Sequence, residues 1–369
     1  MLMNDEYWMK RVLRLAEKGK GRTSPNPMVG AVLVKAGKVV GEGYHAKAGE
    51  PHAEIVALGQ AGRNAKGAML YINLEPCTHY GRTPPCAPRV IEAGIKKAVI
   101  GMEDPNPMVR GKGIHSLRNA GIEVLTGILG KECRTLNEAF CHYIVERKPF
   151  VILKVAATLD GKIAARSGES KWVSGELSRR FVHRLRDQVD GVLVGIGTVL
   201  RDDPLLTARV KGARDPFRII LDSRLRIPEG AKVVRNSPSR TIIASTRAAP
   251  EKKIESLEKK GVRILIGESK AGRVDLRSCL HRLAEMGLVT LMVEGGSQIN
   301  GAFLDERLFN KFLLFLSPRL MGDPQAIGMF GGKGFKHLND AIPLERIKTR
   351  KIGEDILVEG YVAEKIIEK

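Results

Sequence analysis

His52, Cys77 and Cys86 restrict the possible folds of this chain more than any other residues. One imidazole and two thiolates can hold a Zn²⁺ ion while a fourth position stays open to water, which is the donor set of a catalytic site. Any fold that uses them must bring three separate stretches of chain to one point. Glu54 stands just past the histidine, near enough to move the protons of that water without binding the metal. A histidine, a glutamate and a Pro-Cys…Cys pair are together the signature of zinc nucleobase deaminases. These residues therefore imply hydrolytic deamination, with His52, Cys77 and Cys86 as ligands and Glu54 as the catalytic acid/base. A structural zinc site is the rival reading. It would need a fourth protein ligand, and His79 beside Cys77 is the candidate.

The pattern around these residues predicts an α/β layer. Val12, Leu13 and Ala16 recur at helical spacing within 6–18, and strands over 28–34 and 38–42 form a hairpin around Gly37. Pro51 opens a helix over 52–60, which puts His52 and Glu54 in its first turn. A strand over 69–73 leads into Pro76-Cys77, and a helix over 86–93 begins at Cys86. Strands over 97–102 and 122–125 flank a helix over 113–120. Two helix starts meeting at one point suit the chemistry, because unpaired N–H groups and the helix dipole favour thiolate over thiol. The loop between the cysteines is longer than a Cys-x-x-Cys and carries His79 and Arg82 towards the metal. Both suit a phosphorylated substrate, although an exposed loop insertion fits the spacing equally well.

The rest of the chain alternates again. With 369 residues two domains are expected, and a charged, proline-ended junction at 145–149 divides them into 1–146 and 147–369. Beyond it we predict strands over 150–156, 191–195, 218–221, 241–245, 263–267, 290–294, 312–316 and 356–363. Helices are predicted over 174–186, capped by Ser174, and over 276–285, giving a mixed sheet covered on both faces. Gly195-Ile196-Gly197-Thr198 and Gly295-Gly296-Ser297 stand at strand ends, where backbone N–H groups can receive phosphate. Neither is a Gly-x-Gly-x-x-Gly, and a tight turn would explain either.

The net charge of +20 raises the question of nucleic acid. Basic residues are dispersed, 251–260 alternates in sign like a solvated helix face, and aromatics make up only 5%. We therefore expect small phosphorylated ligands, no nucleic acid and no membrane. Residues 1–10 include Asp5 and Glu6 and no apolar signal core, and the cysteines outside the metal set (Cys133, Cys141, Cys279) have no framework spacing. A cytoplasmic protein is expected, and we expect it to be a homo-oligomer, a dimer or a tetramer.

Three stretches taken together, Leu74-Glu75-Pro76-Cys77-Thr78-His79-Tyr80-Gly81-Arg82-Thr83-Pro84-Pro85-Cys86, Asn26-Pro27-Met28-Val29-Gly30 and Asp104-Pro105-Asn106-Pro107, closely resemble the first domain of bacterial bifunctional riboflavin-biosynthesis deaminase/reductases. Lys154-Val155-Ala156-Ala157-Thr158-Leu159-Asp160-Gly161-Lys162, Gly168-Glu169-Ser170-Lys171-Trp172 and Arg201-Asp202-Asp203-Pro204 resemble the second. The resemblance thins after Gly331. It implies a cytidine-deaminase-like three-layer domain followed by a dihydrofolate-reductase-like domain. It also implies one Zn²⁺ in the first domain and NADPH in the second. The implied reactions are removal of the 2-amino group from a diaminopyrimidine carrying a phosphoribosylamino group, then reduction of the ribosyl group to ribityl. Substrate contacts would fall on Asn26, His79 and Arg82 in the first domain and on Lys154, Ser170, Arg186, Leu206, Arg209 and Glu294 in the second. Cofactor contacts would fall on Ala156, Trp172, Thr198, Asp202, Ser223, Gly296, Ser297, Gln298, Ile299, Asn300, Gly301 and Ala302. Arg186 and Arg209 are chemically suited to a 5′-phosphate, Lys154 and Asp202 are candidates beside the reacting sugar carbon, and the final proton donor stays open between Lys154 and a water. Two other readings compete. One is a stand-alone zinc deaminase with a binding module behind it, and the other is a zinc-stabilised basic scaffold for RNA.

Overall fold

The computed structural model describes residues 4–81 and 83–363. The chain divides into two compact units, Met1–Lys148 and Pro149–Lys369. No helix among the described residues is long and apolar enough to cross a membrane.

The first unit runs α1 (Asp5–Glu17), β1 (Gly30–Lys35), β2 (Lys38–Tyr44), α2 (Ala53–Ala61), β3 (Met69–Leu74), α3 (Cys86–Glu92), β4 (Lys97–Met102), α4 (Lys112–Asn119), β5 (Glu123–Thr126), α5 (Gly130–Leu136) and α6 (Glu138–Glu146). Its sheet has the order β2-β1-β3-β4-β5. β1 is antiparallel to both neighbours, while β3, β4 and β5 are parallel. Covered on both faces, β1, β3 and β4 are almost wholly buried, which is why their sequences are apolar runs instead of alternations.

The register shows how the helices flank the sheet. Leu33 pairs with Gly41 and Ala31 with Gly43, so these four share one face, while Gly30 lies on the other. A Cβ at Gly30 would strike the α1 backbone at 2.4 Å from the Val12 carbonyl. A Cβ at Gly41 would strike α2 at 2.2 Å from the Ala57 carbonyl. Helices α1 and α2 thus press on opposite faces, each admitted by a missing side chain. α3 packs beside α2, and α4 beside α3.

The second unit runs β6 (Phe150–Thr158), β7 (Lys162–Ala164), α7 (Glu176–Gln188), β8 (Gly191–Gly195), α8 (Ile196–Asp202), β9 (Phe217–Leu221), α9 (Lys232–Arg235), β10 (Thr241–Thr246), α10 (Glu251–Lys259), β11 (Arg263–Gly267), β12 (Ser269–Lys270) and β13 (Arg273–Val274). It continues through α11 (Leu276–Glu285), β14 (Thr290–Val293), α12 (Ser297–Asp305), β15 (Lys311–Ser317), β16 (Ile327–Gly328), β17 (Leu344–Ile352) and β18 (Asp355–Val362). Its main sheet has the order β11-β10-β9-β8-β14-β6-β15-β18-β17. The strands from β11 to β15 are parallel, and the β17–β18 hairpin closes one edge antiparallel. Alternate residues of β8 feed two cores, Val192 and Val194 one and Leu193 the other, so both faces are covered as expected.

One sequence expectation needs correction, and several elements were not expected. Gly175, not Ser174, caps α7. The Gly175 N–H donates to the buried Asp355 carboxylate at 2.8 Å, and the Ser174 carbonyl is taken by Arg179. The helices α5 and α6 are additions, as is β17, which is exposed along most of its length.

Because α2 carries the metal-site residues, its seat on β2 is a sensitive point. Gly41→Val should destabilise the first unit by about 2 kcal/mol or more through overpacking. It should also lower the zinc content at saturating metal. Thermal unfolding and elemental analysis of the purified variant check both effects.

Candidate active sites

In the first unit three elements converge. His52 is the N-cap of α2 in extended backbone, Cys86 is the first residue of α3 after Pro85, and Cys77 lies just beyond the end of β3. Their ligand atoms all lie within 4.8 Å of one another. His52 Nδ1 faces Cys86 Sγ at 3.3 Å and Cys77 Sγ at 3.6 Å, and its Nε2 is 3.2 Å from Thr83 Oγ1. The outer nitrogen thus has its own partner, which orients the ring and leaves Nδ1 for a metal. The hydrogen bond with Cys86 draws the Cys77 thiol down to about 4, and the same contact drives Cys86 up. A divalent cation bound between the two sulfurs would allow both to be thiolates.

Glu54 sits in the first turn of α2, 3% exposed, with its Oε2 unpartnered. Burial pushes its carboxyl up to about 7. A buried carboxyl with one oxygen unpartnered, beside three converging soft and imidazole donors, fits a catalytic zinc site. His79 is exposed and outside the cluster, so the four-ligand structural reading loses its fourth ligand among the described residues. Arg82 lies outside the described residues.

Surrounding hydrogen bonds hold this arrangement. Glu75 accepts from the N–H groups of Gly111 at 2.8 Å, Asp104 at 3.1 Å and Ile114 at 3.4 Å. It thereby ties Pro76-Cys77 to the start of α4. Asn26 lies 3.1 Å from His45 Nε2, whose Nδ1 lies 3.2 Å from the Pro51 carbonyl. The His45 ring packs on His52 edge to face with centroids 5.1 Å apart, which places Asn26 beside the cluster.

In the second unit a cleft of about 2150 Å³ opens at the carboxyl ends of β6, β8, β9 and β14, where ligands of open α/β sheets bind. Single-ligand pockets rarely exceed roughly 1,000 Å³, so two molecules can be held together. Ala156, Trp172, Thr198, Asp202, Ser223, Gly296, Ser297, Gln298, Ile299, Asn300 and Ala302 line it, as do Lys154, Ser170, Arg186, Leu206, Arg209 and Glu294. Gly301 does not. Its Cα faces the Gly331-Gly332 backbone, where a Cβ would come within 2.2 Å of the Gly332 nitrogen. The two glycine clusters divide their work. Cβ atoms at Gly195 and Gly295 would run into Ile299, whereas Gly197 and Gly296 face open space and keep the wall of the cleft clear for a ligand.

Comparison with known proteins follows the same division. Residues 149–358 match the RibD C-terminal domain, and residues 2–102 match the cytidine and deoxycytidylate deaminase zinc-binding region. The riboflavin biosynthesis protein RibD of Aquifex aeolicus is 46% identical over 355 residues, covering 96% of this chain and 97% of the relative. RibD of Escherichia coli is 39% identical, covering 96% and 98%. The crystal structure of Acinetobacter baumannii RibD superposes with a TM-score of 0.89 at 38% identity, over 98% of this chain and 99% of the other. A Thermotoga maritima deaminase/reductase structure superposes at 0.85 and 38% identity, over 97% and 99%.

The chain belongs to the RibD family. As in other RibD proteins, a zinc-dependent deaminase and an NADPH-linked reductase acting on a riboflavin-pathway pyrimidine share one chain. Within this RibD reductase unit, one detail departs from the chemical expectation. Arg186 does not present a free fork to a phosphate. Its Nε and Nη2 donate to the two Glu294 oxygens at 2.7 and 3.0 Å, and Nη1 donates to the Thr207 carbonyl at 3.1 Å. Lys154 Nζ is 3.8 Å from the same carboxylate, and burial lowers its pKa. Arg209, by contrast, is exposed on the wall and has no hydrogen-bond or ion-pair partner among the described residues. Asp202 pairs with Lys171 at 3.4 Å.

Burial opposes ionisation of Glu294, but Arg186 and Lys154 outweigh it and hold the carboxyl at about 2. A depressed carboxyl contributes stability above its ordinary value of 4.5, and that contribution is lost as pH falls through about 2. Glu294→Gln leaves two buried cations unpaired, so it should cost about 3–5 kcal/mol at pH 7. The penalty should shrink as pH drops from about 4.5 towards 2. Denaturant unfolding of wild type and variant at pH 7, 4 and 3 measures it, and a penalty constant across that range contradicts the ion-pair account.

Proposed function

We propose that the first unit deaminates 2,5-diamino-6-(5-phosphoribosylamino)pyrimidin-4(3H)-one at its 2-amino group. The second unit then reduces the ribosyl group of the resulting 5-amino-6-(5-phosphoribosylamino)uracil to ribityl. The observation that carries the first step is the three-ligand cluster with buried Glu54 beside it, its Oε2 left without a partner.

Zinc held by His52 Nδ1, Cys77 Sγ and Cys86 Sγ would supply a water acidic enough to react near neutral pH. Glu54 takes one proton of the attacking water on Oε2 and delivers it to the ring nitrogen, then takes the remaining hydroxyl proton of the tetrahedral adduct and delivers it to the amine, which leaves as ammonia while the carbonyl forms. A carboxyl poised at about 7 can both accept and release that proton. Thr83 and His45 fix the His52 ring. Asn26 holds the pyrimidine, and His79 and Arg82 hold its phosphate.

In the second unit NADPH supplies the hydride when bound. Ala156, Trp172, Thr198, Asp202, Ser223 and the first turns of α12 form the cofactor wall. Ser170, Leu206, Arg209, Lys154 and Glu294 hold the phosphorylated sugar. Lys154 and Glu294 face the cleft as a buried ion pair fixed by Arg186, so they orient the sugar while the walls exclude water. Functional boundaries at 1–146 and 147–369, a homo-oligomeric state and a cytoplasmic location complete this reading. All five cysteines are free, which supports a reducing compartment.

Glu54→Gln separates the two chemistries. It should retain about one zinc per chain while losing ammonia release, and should still oxidise NADPH when given the deaminated pyrimidine. Wild type should raise substrate mass by about one unit without NADPH and by about two more with it. Ammonia detection and mass measurement give both readouts. A variant that folds and binds zinc yet fails in both assays would count against two independent sites.

A further inference from the structure

The β1–β3 ladder ends at the pair Ala31 and Ile72, and the chain just before it, 26–29, lies outside that ladder. Its peptide groups are met by two side-chain amides instead. Asn73, the next residue of β3 and wholly buried, accepts from the Gly30 N–H at 2.9 Å and donates to the Met28 carbonyl at 2.9 Å. Asn137 accepts from the Met28 N–H at 2.8 Å and donates to the same carbonyl at 2.9 Å. One amide thus grips both peptide groups of Met28, as a paired residue of an antiparallel strand would. The Met28 carbonyl has two lone pairs for the two amides.

Asn137 reaches Met28 from far along the chain. It stands at the junction of α5 and α6, beyond the zinc-binding region matched at 2–102, and is 2% exposed. Cys133 is wholly buried and seats α5 on β4, where a Cβ at Gly101 would run into its Sγ. α6 buries none of its residues. Apolar burial therefore accounts for little of α6, while the polar side chain buried at its start holds one residue of the deaminase site's rim. Met28 has site residues on both sides. Two positions before it, Asn26 lies 3.1 Å from His45 Nε2. One position after it, the Val29 carbonyl accepts from the His45 N–H at 2.9 Å, and the His45 ring packs on His52.

We propose that Asn137 is a positioning residue of the deaminase, which fixes the Met28 backbone and through it presents Asn26 to the pyrimidine. This inference rests on the reading of Asn26 as a pyrimidine contact. Two bonds from one planar amide set both the place and the tilt of the Met28 peptide groups. A misplacement of about 1 Å at a binding contact is enough to slow a reaction about a hundredfold, so a side chain that never touches the substrate can govern its capture. The segment 130–146 is thereby part of the deaminase and not only a connection to the second unit.

The test is a double-mutant cycle on ammonia release from the diaminopyrimidine phosphate, using full-length wild type, Asn26→Ala, Asn137→Ala and the double variant. Each single variant should lower kcat/KM about tenfold, mainly through KM, with about one zinc per chain retained. The double variant should fall within about twofold of Asn26→Ala alone, because the second change has nothing left to act through. Reduction of the deaminated pyrimidine with NADPH should stay at the wild-type rate, which shows that the chain is folded. If Asn137→Ala does not fold, Asn137→Asp keeps the acceptor for the Met28 N–H, loses the donor to its carbonyl and enters the same cycle. Losses that multiply to about a hundredfold in the double variant, or that track a loss of zinc, overturn the role of Asn137 and leave Asn26 as a substrate contact. Wild-type kcat/KM in Asn137→Ala overturns it as well. Wild-type kcat/KM in Asn26→Ala overturns the reading of Asn26 itself, and the role of Asn137 with it.

Discussion

The deaminase half depends on a helix pressed hard against a strand. α2 can deliver His52 and Glu54 to Cys77 only because Gly41 and Gly43 leave no side chain between them and the helix, where a Cβ would meet Ala57 and Val56 within 3 Å. That closeness also buries Glu54, and burial lifts its carboxyl into the range of a proton carrier. One packing decision therefore sets the ligand geometry and the burial of the neighbouring carboxyl together. Only one of its oxygens, Oε2, is left without a partner.

The reductase half solves a different problem, that of keeping charge inside a cleft. Glu294 would be costly where it is without Arg186 and Lys154. The bidentate pair with Glu294 and the bond to the Thr207 carbonyl engage three Arg186 donors on protein atoms and make that arginine a support for the carboxylate. Arg209, by contrast, lies on the cleft wall with no ion-pair or hydrogen-bond partner among the described residues. A net charge of +20 thus contains distinct populations, some neutralised by neighbouring acids and some left free in the cleft.

The sequence disclosed those features that local chemistry dictates. Buried parallel strands such as Gly191–Gly195 and Lys97–Met102 are short apolar runs with clear ends, and the metal ligands announce themselves because few residue types can bind zinc. What stayed hidden depends on distant partners. α6 buries none of its residues and β17 is a charged, exposed edge, so neither carries a periodic apolar signal. Ser174 looked like a helix cap because serine is a good one, yet a buried Asp355 far along the chain favours Gly175. Likewise no local pattern tells that Glu75 braces α4, that Thr83 holds His52, or that Glu294 occupies Arg186.

The same distinction bears on how one chain can host two reactions. In each half a carboxyl of the candidate site is buried, but its surroundings drive it in opposite directions. Glu54, opposed by burial and a neighbouring thiolate, sits high at about 7, and Glu294, flanked by two cations, sits low at about 2. The first can trade protons near neutral pH and the second stays a fixed anion. A residue that must cycle protons cannot also be a permanent electrostatic anchor. Dividing those roles between two separately packed cores, each with its own sheet, lets each carboxylate be tuned without compromising the other.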